Sequence, residues 1–224
     1  MTENVKLVAL TQPTISNDLV GSMMTPEQFI AYCARVSNPN NQNNHDTSEK
    51  LLSYCIKNQH WSIFEMVHIV IEINTTRDIA RQILRHRSFS FQEFSQRYAD
   101  ASQLGFTTRE ARLQDSKNRQ NSIEVNDAEL QKTWKMKQDQ LIHEAKLTYK
   151  WALDNGIAKE QARSILPEGN TNSRLYMAGS LRSWIHYCQL RMSKGTQKEH
   201  REVAEDCWKI LCSRFPFLNN QEQL

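Results

Sequence analysis

From Val67 to Asn74 the chain alternates without a break: Val67, Ile69, Ile71 and Ile73 stand against His68, Val70, Glu72 and Asn74. A period of two is the signature of a strand with one face in a core, and here the other face is only partly polar. From about Thr76 the spacing becomes helical through RDIARQILRHR. The rest of the chain contains few breakers. Six glycines and five prolines in 224 residues are about half the usual share or less, which favours helices over a many-turned β architecture.

The coarse order of elements follows from the same signals. VKLVAL (5–10) reads as a short strand. Thr25-Pro26 is an N-cap followed by an N1 proline, opening a helix with Phe29, Tyr32, Cys33 and Val36 on one face that stops near Asn38-Pro39. After the polar loop 38–46, a second helix puts Leu51, Leu52, Cys55 and Ile56 inward. Beyond the aromatic-serine stretch SFSFQEFSQRY, residues 103–126 are polar and nearly free of periodicity, the pattern of a mobile loop or lid. Leu130, Trp134, Leu141, Ala145, Tyr149, Ala152 and Leu153 mark a long surface helix ending at Asn155-Gly156. A short helix to Leu166-Pro167 follows, then a helix from about Asn172 to Met192. The last helix is opened by a capping box, Thr196-Gln197-Lys198-Glu199, and closed near Pro216. With no repeat and no low-complexity linker, one α+β domain over 1–224 is expected, helix-rich with a small, mostly antiparallel sheet.

Composition narrows the function. A net charge of +3 and a pI near 8.6 fall short of a dedicated nucleic-acid binder, so anionic small molecules fit better than nucleic acid. No apolar run approaches the ~18 residues of a membrane span, so no membrane partner is expected. The N-terminus lacks signal-peptide features, so a cytoplasmic protein with five reduced cysteines is expected. No C-x-x-C exists, His143-Glu144 is not followed by the second histidine of a zinc motif, and no metal is expected. Neither dinucleotide nor phosphate glycine loop occurs, so any nucleotide must be held by side chains and helix ends. Trp134, Trp151, Trp184 and Trp208 read as core or interface anchors.

Chemistry concentrates between positions 77 and 97, where five of 15 arginines fall: Arg77, Arg81, Arg85, Arg87 and Arg97, opposed locally by Asp78 and Glu93. Arg77, Arg81 and Arg85, spaced i, i+4, i+8, would stack like charges on one helical face, a cost that an anion lying along it would remove. Guanidinium forks grip phosphate bidentately, and Ser88, Ser90 and Ser95 add hydroxyl donors. A solvated face paired with acids elsewhere is the alternative. Gln82, on the face of Arg85, offers an amide to the donor-acceptor edge of a base. His86, between Arg85 and Arg87, should stay neutral.

Arg85-His86-Arg87, seven residues, then Ser95-Gln96-Arg97 resembles the R-H-R-x7-S-x-R signature of the flavin-dependent thymidylate synthases. AYCARVSNP, QHWSIFE, QARSILPEG and LRSWIHYCQLR are similar to family segments in the same order. The resemblance implies that family's fold and the reductive methylation of dUMP to dTMP. It also implies FAD as cofactor, with NADPH and 5,10-methylenetetrahydrofolate as co-substrates, and a homotetramer with sites shared between subunits. It assigns dUMP to Gln82, Ile83, Leu84, Arg85, Glu93, Phe94, Ser95, Gln96, Arg97, Arg163 and Arg191, with Arg191 as the activating residue that stabilises charge on the ring. It assigns FAD to Ser62, Arg85, His86, Arg87, Glu93, Ser180, Leu181, Arg182 and His186, and His60 and Tyr98 to a folate or nicotinamide wall. The competing readings are a helical nucleic-acid binder using the same arginines, and a synthase with a cysteine nucleophile or another pyrimidine-nucleotide transferase. Cys188 is the one thiol near Arg191 in sequence.

Overall fold

The computed structural model describes residues 4–17 and 22–220. In chain order the elements are β1 (Val5–Leu10), the short pair β2 (Ser16–Asn17) and β3 (Ser22–Met23), α1 (Pro26–Ala34), α2 (Ser48–Lys57), β4 (His68–Thr76) and α3 (Arg77–Ile83). Next come β5 (Ser90–Glu93), β6 (Arg112–Gln114), β7 (Ser122–Glu124), α4 (Ala128–Asp154), α5 (Lys159–Ala162), β8 (Asn172–Ser180), α6 (Leu181–Arg191) and α7 (Lys198–Arg214). The main sheet runs β1-β4-β8-β5 with every pairing antiparallel, so the expected helix-rich α+β fold with a small antiparallel sheet is what forms.

β4 is the central strand the alternation predicts. Val67, Ile69, Ile71 and Ile73 are buried, and with Leu175 and Met177 of β8 they make the floor of the core. Ile30 of α1, Leu52 and Ile56 of α2, Trp184 and Tyr187 of α6, and Val203, Cys207 and Leu211 of α7 cover that floor. At full burial each such side chain contributes about 1.5–3 kcal/mol. A smaller cluster of Ala101, Tyr149, Ala152, Ala162 and Leu166 seats the C-terminal half of α4 against α5 and the turn after it.

Several expectations are corrected. The helix expected over 172–192 begins only at Leu181. The nine residues before it form β8, whose Ser173, Leu175, Met177 and Gly179 are buried while Arg174 and Tyr176 face out. Gly179 is required there, because a Cβ would lie 2.5 Å from Cδ1 of Phe89. α3 ends at Ile83, so Arg85 lies beyond the helix and the three-arginine stack does not form.

The segment 103–126 is not a free lid: β6 and β7 pair as a hairpin. Arg112 binds Glu199, Lys198 binds Glu124 at 2.7 Å, Arg109 binds Asp78 at 2.7 Å, and Gln131 and Gln138 of α4 bond the Ala111 and Arg109 backbones. α1 buries Ile30 and Ala31 fully; of the expected face, Phe29 packs on the core edge, Tyr32 and Cys33 are partly buried, and Val36, beyond the helix, is 69% exposed. α4 buries Gln138, Ile142, Ala145, Tyr149 and Ala152, and leaves Leu130, Trp134, Leu141 and Trp151 exposed. Trp134 and Trp151 are therefore not core anchors, whereas Trp184 is fully buried and Trp208 packs on the core edge.

Candidate active site

The arginine-rich segment folds as a helix, a tight turn and an edge strand. Thr76 ends β4 and stands at the N-cap position of α3, its hydroxyl bonded to Asp78 at 2.6 Å. Of the five arginines, Arg77 meets Glu93 at 3.4 Å and Arg81 meets Glu168. Arg97 stands 3.8 Å from Glu160, an exposed and weak pairing. The surface-pairing alternative therefore accounts for two arginines fully. Arg85 and Arg87 are exposed and, among the described residues, have no acidic partner.

The turn brings His86 to the end of α6. Arg191 Nε donates to His86 Nε2 at 2.9 Å, and the His86 ring stands edge-on to Tyr187 at 4.9 Å. Burial, then the Arg191 and Arg85 charges, push the His86 pKa down to about 4. The imidazole is thus neutral, as expected, though of the two flanking arginines only Arg85 contributes, and its proton is on Nδ1. Arg191 is consequently held by a neutral acceptor and keeps its full charge. A carboxylate in the same place would have neutralised it.

Gln82 is tied into a second arrangement that the sequence reading missed. Its Nε2 donates to Gln197 Oε1 at 2.8 Å, and its Oε1 lies 3.2 Å from Nδ1 of His200. His200 is fully buried, and its Nε2 lies 3.1 Å from the Tyr187 hydroxyl. Burial first, then the Arg191 and His86 charges, lower its pKa to about 3. Tyr187 thus touches both halves, its ring against His86 and its hydroxyl on His200. The sequence did hold a signal for His200. It stands in the α7 stripe with Val203, Ala204, Cys207 and Leu211, and a histidine inside an apolar stripe needs a buried partner.

The remaining assigned residues separate into groups. Glu93 is half-buried and accepts from Ser173 at 2.7 Å as well as from Arg77. Gln96 is buried with its Nε2 unpartnered, next to exposed Ser95 and Arg97. Ile83 is fully buried, so a ligand there meets main chain only; Leu84 and Phe94 are partly buried. Arg163 follows α5, one turn beyond the Glu160 that faces Arg97.

Ser62, Ser180, Leu181, Arg182 and His186 gather at the other end of α6. There Ser180 caps the helix through Ser183 N, Leu181 is buried, Arg182 binds Glu65 at 2.9 Å, and His186 packs on Trp61 at 4.4 Å. His60 and Tyr98 are exposed. About 14 Å of helix separates Arg182 from Arg191.

A cleft of about 880 Å³ beside the hairpin is lined by Thr76, Arg109, Ser173, Arg174, Lys198 and Glu199 among others, and by none of the sequence-assigned residues. Its cations are already paired: Arg109 with Asp78, Arg174 with Glu72, and Lys198 with Glu110 and Glu124. Arg85 and Arg87, without an acidic partner among the described residues, lie on the α3–β5 turn instead. Cys188 is fully buried, and burial together with Cys207 and Cys212 raises its thiol pKa, so Arg191 does not activate it. Among the described residues no cluster suits a metal ion, and no helix is long and apolar enough to cross a membrane.

Fold and site together define a small α+β protein that presents guanidinium groups without acidic partners on a turn, with no glycine loop. Residues 18–217 match the family described as thymidylate synthase complementing protein. A flavin-dependent thymidylate synthase of Synechocystis sp. is 53% identical over 95% of this chain and 96% of its own length. A probable flavin-dependent thymidylate synthase of Paramecium bursaria Chlorella virus 1 is 47% identical over 95% of each. The fold is also that of a UMP/dUMP methylase from Streptomyces cacaoi, with a TM-score of 0.76 at 24% identity over 96% of this chain and 92% of the other. The chain belongs to the flavin-dependent thymidylate synthase family.

Proposed function

We propose that this chain carries out the reductive methylation of dUMP to dTMP, with 5,10-methylenetetrahydrofolate donating the carbon and NADPH the reducing equivalents through FAD. The observation that carries the reading is Arg191 on a neutral His86 beside unpaired Arg85 and Arg87. A guanidinium that keeps its whole charge stabilises the negative charge that develops on a uracil ring as N3 ionises, which makes C5 a better nucleophile. Arg97, Ser95 and Arg163 supply phosphate donors, and the unpartnered Gln96 Nε2 is a further donor for a bound group. Gln82 faces the base.

The residues fit a flavin dinucleotide in chemistry. Arg85 and Arg87 suit its phosphates, and the Trp61–His186 pair near Ser62 and Arg182 offers an aromatic ledge. When bound, the flavin supplies hydride. The two residue sets assigned to it lie at opposite ends of α6, which supports sites completed by a second subunit in a homotetramer. The exposed Trp134 and Trp151 of α4 support such assembly. His60 and Tyr98 are both exposed, which leaves them open to a folate or nicotinamide. The test is the visible spectrum of the purified protein, with release of a flavin on denaturation and dTMP formation dependent on NADPH and the folate. A colourless protein that neither binds added FAD nor turns over with it refutes the reading, and turnover without flavin or nicotinamide points to the cysteine-type synthase.

A further inference from the structure

We propose that Glu199, acting through a one-way chain of hydrogen bonds, fixes the orientation of the Gln82 side-chain amide and so sets which pyrimidine ring the site accepts. The proposal deepens the reading of dUMP as substrate and rests on it.

The direction of the chain follows from one charged end. Arg112, nearly buried, donates to Glu199 Oε1, and guanidinium does not give up its proton. Burial alone would raise the Glu199 carboxyl, but the hydrogen bonds from Arg112, its own backbone N–H and Gln197, with the Arg109 charge, hold it below the usual value. Glu199 is therefore a carboxylate that only accepts. Gln197, 2.9 Å from Glu199 Oε2, must turn its NH2 toward it, which leaves Gln197 Oε1 facing Gln82.

Gln82 must then give its own NH2 to Gln197 and turn Oε1 to His200. Nδ1 of His200 must carry the hydrogen, and its bare Nε2 accepts from Tyr187. Reversing any amide puts two acceptors face to face next to the carboxylate, in a place where His200 and Tyr187 are almost wholly shielded from water. The same tie explains why the expected capping box does not form. Gln197 is the N-cap residue of α7 yet makes no side-chain cap bond, because its amide and Glu199 are committed to this chain.

Gln82 keeps one N–H and one oxygen lone pair for a ligand. A freely turning amide offers them in either order, and a locked one offers a single order. On binding, before N3 ionises, uracil presents an N3–H donor beside the O4 acceptor, whereas cytosine presents a bare N3 beside an amino group, the opposite order. A fixed amide therefore accepts one ring and leaves the other with unmatched polar groups, the kind of mismatch from which polar sites gain selectivity. Glu199 is a positioning residue, and Gln82 the residue it makes selective.

The test uses the full-length protein labelled with ¹⁵N-histidine, the His200 signals being those lost in His200→Asn. The parent should show His200 protonated at Nδ1 and bare at Nε2, and the reverse tautomer overturns the chain as drawn. Equilibrium dialysis then gives the dissociation constants of dUMP and dCMP for the parent, Glu199→Gln and Gln197→Met. Glutamine at 199 lets the chain run either way. Methionine at 197 cuts it while leaving the Arg112–Glu199 pair intact, so one variant remains informative if the other fails to fold. The preference for dUMP over dCMP should fall at least about tenfold in both, roughly 1.4 kcal/mol, and an unchanged ratio overturns the proposal. If the parent binds neither nucleotide, the substrate reading falls and base selection with it, while the nitrogen signals still report the chain's direction.

Discussion

Acidifying the protein should destabilise it through a residue far from its surface. His200 is fully buried, and its pKa is lowered from 6.5 to about 3 by burial and then by the Arg191 and His86 charges. Between those values the unfolded chain binds a proton at this position and the folded chain does not, so stability rises with pH and is lost on acidification from about 6.5 downward. Integrated from pH 7 to pH 5, one such group costs about 2 kcal/mol, a substantial part of the roughly 5–15 kcal/mol that holds a domain together. His86 acts in the same direction over the same window, its pKa lowered to about 4.

His200→Asn isolates the effect: it does not titrate, and its amide N–H takes over the bond to Gln82. At pH 7 it should be less stable than the parent by about 1–3 kcal/mol, because the Tyr187 hydroxyl loses its acceptor. Urea unfolding of both proteins at pH 7 and pH 5, at one protein concentration, gives the comparison. The parent should lose about 2 kcal/mol more than the variant on acidification. Equal losses would refute the argument, since other titrating groups are common to the two proteins.

Arg191→Ala should lower turnover by roughly 10²–10³ with little change in dUMP affinity, and Arg97→Ala should chiefly weaken dUMP binding, because the first acts on developing charge and the second on charge already present. Equal effects of the two on affinity alone, by steady-state and binding measurements, would contradict that division. Gly179→Ala should destabilise the fold by about 1–3 kcal/mol and alter the near-ultraviolet dichroism, since the added methyl displaces Phe89 toward Trp184, 5.0 Å away; an unchanged melting curve would be the contrary result. Cys188→Ala should keep turnover within about tenfold of the parent, as a buried thiol with a raised pKa is no nucleophile. A loss of several orders of magnitude in a variant that still binds FAD and dUMP would reinstate the cysteine mechanism.

What the sequence made legible was chemistry carried by neighbouring residues. The alternation of β4 and the caps at Thr25 and Asn155-Gly156 depend on a few adjacent positions. The neutrality of His86 is only partly local: of its two flanking arginines Arg85 contributes, but burial and the Arg191 charge are the larger causes and only the fold shows them. Where two periodicities competed, the local reading failed. Asn172–Ser180 holds good helix formers, Leu, Met and Ala among them, but pairing with β4 along its whole length outweighs their propensity, and Leu175 and Met177 go inward at a period of two. On α4 Trp134 and Trp151 are exposed, so of the core-or-interface expectation for the tryptophans the core half fails for these two.

The site lies at the far end of this scale. Arg191 reaches His86 across 105 residues and His200 reaches Gln82 across 118, so no local pattern could join them. Thr196-Gln197-Lys198-Glu199 shows why even a good motif is insufficient. Its spacing suits a capping box worth about 1 kcal/mol, but a nearly buried Arg112 needs a carboxylate more than the helix needs a cap, and Glu199 goes to the arginine. The helix then begins one residue later than the motif implies, and the side chains released from capping become the path that leads to Gln82.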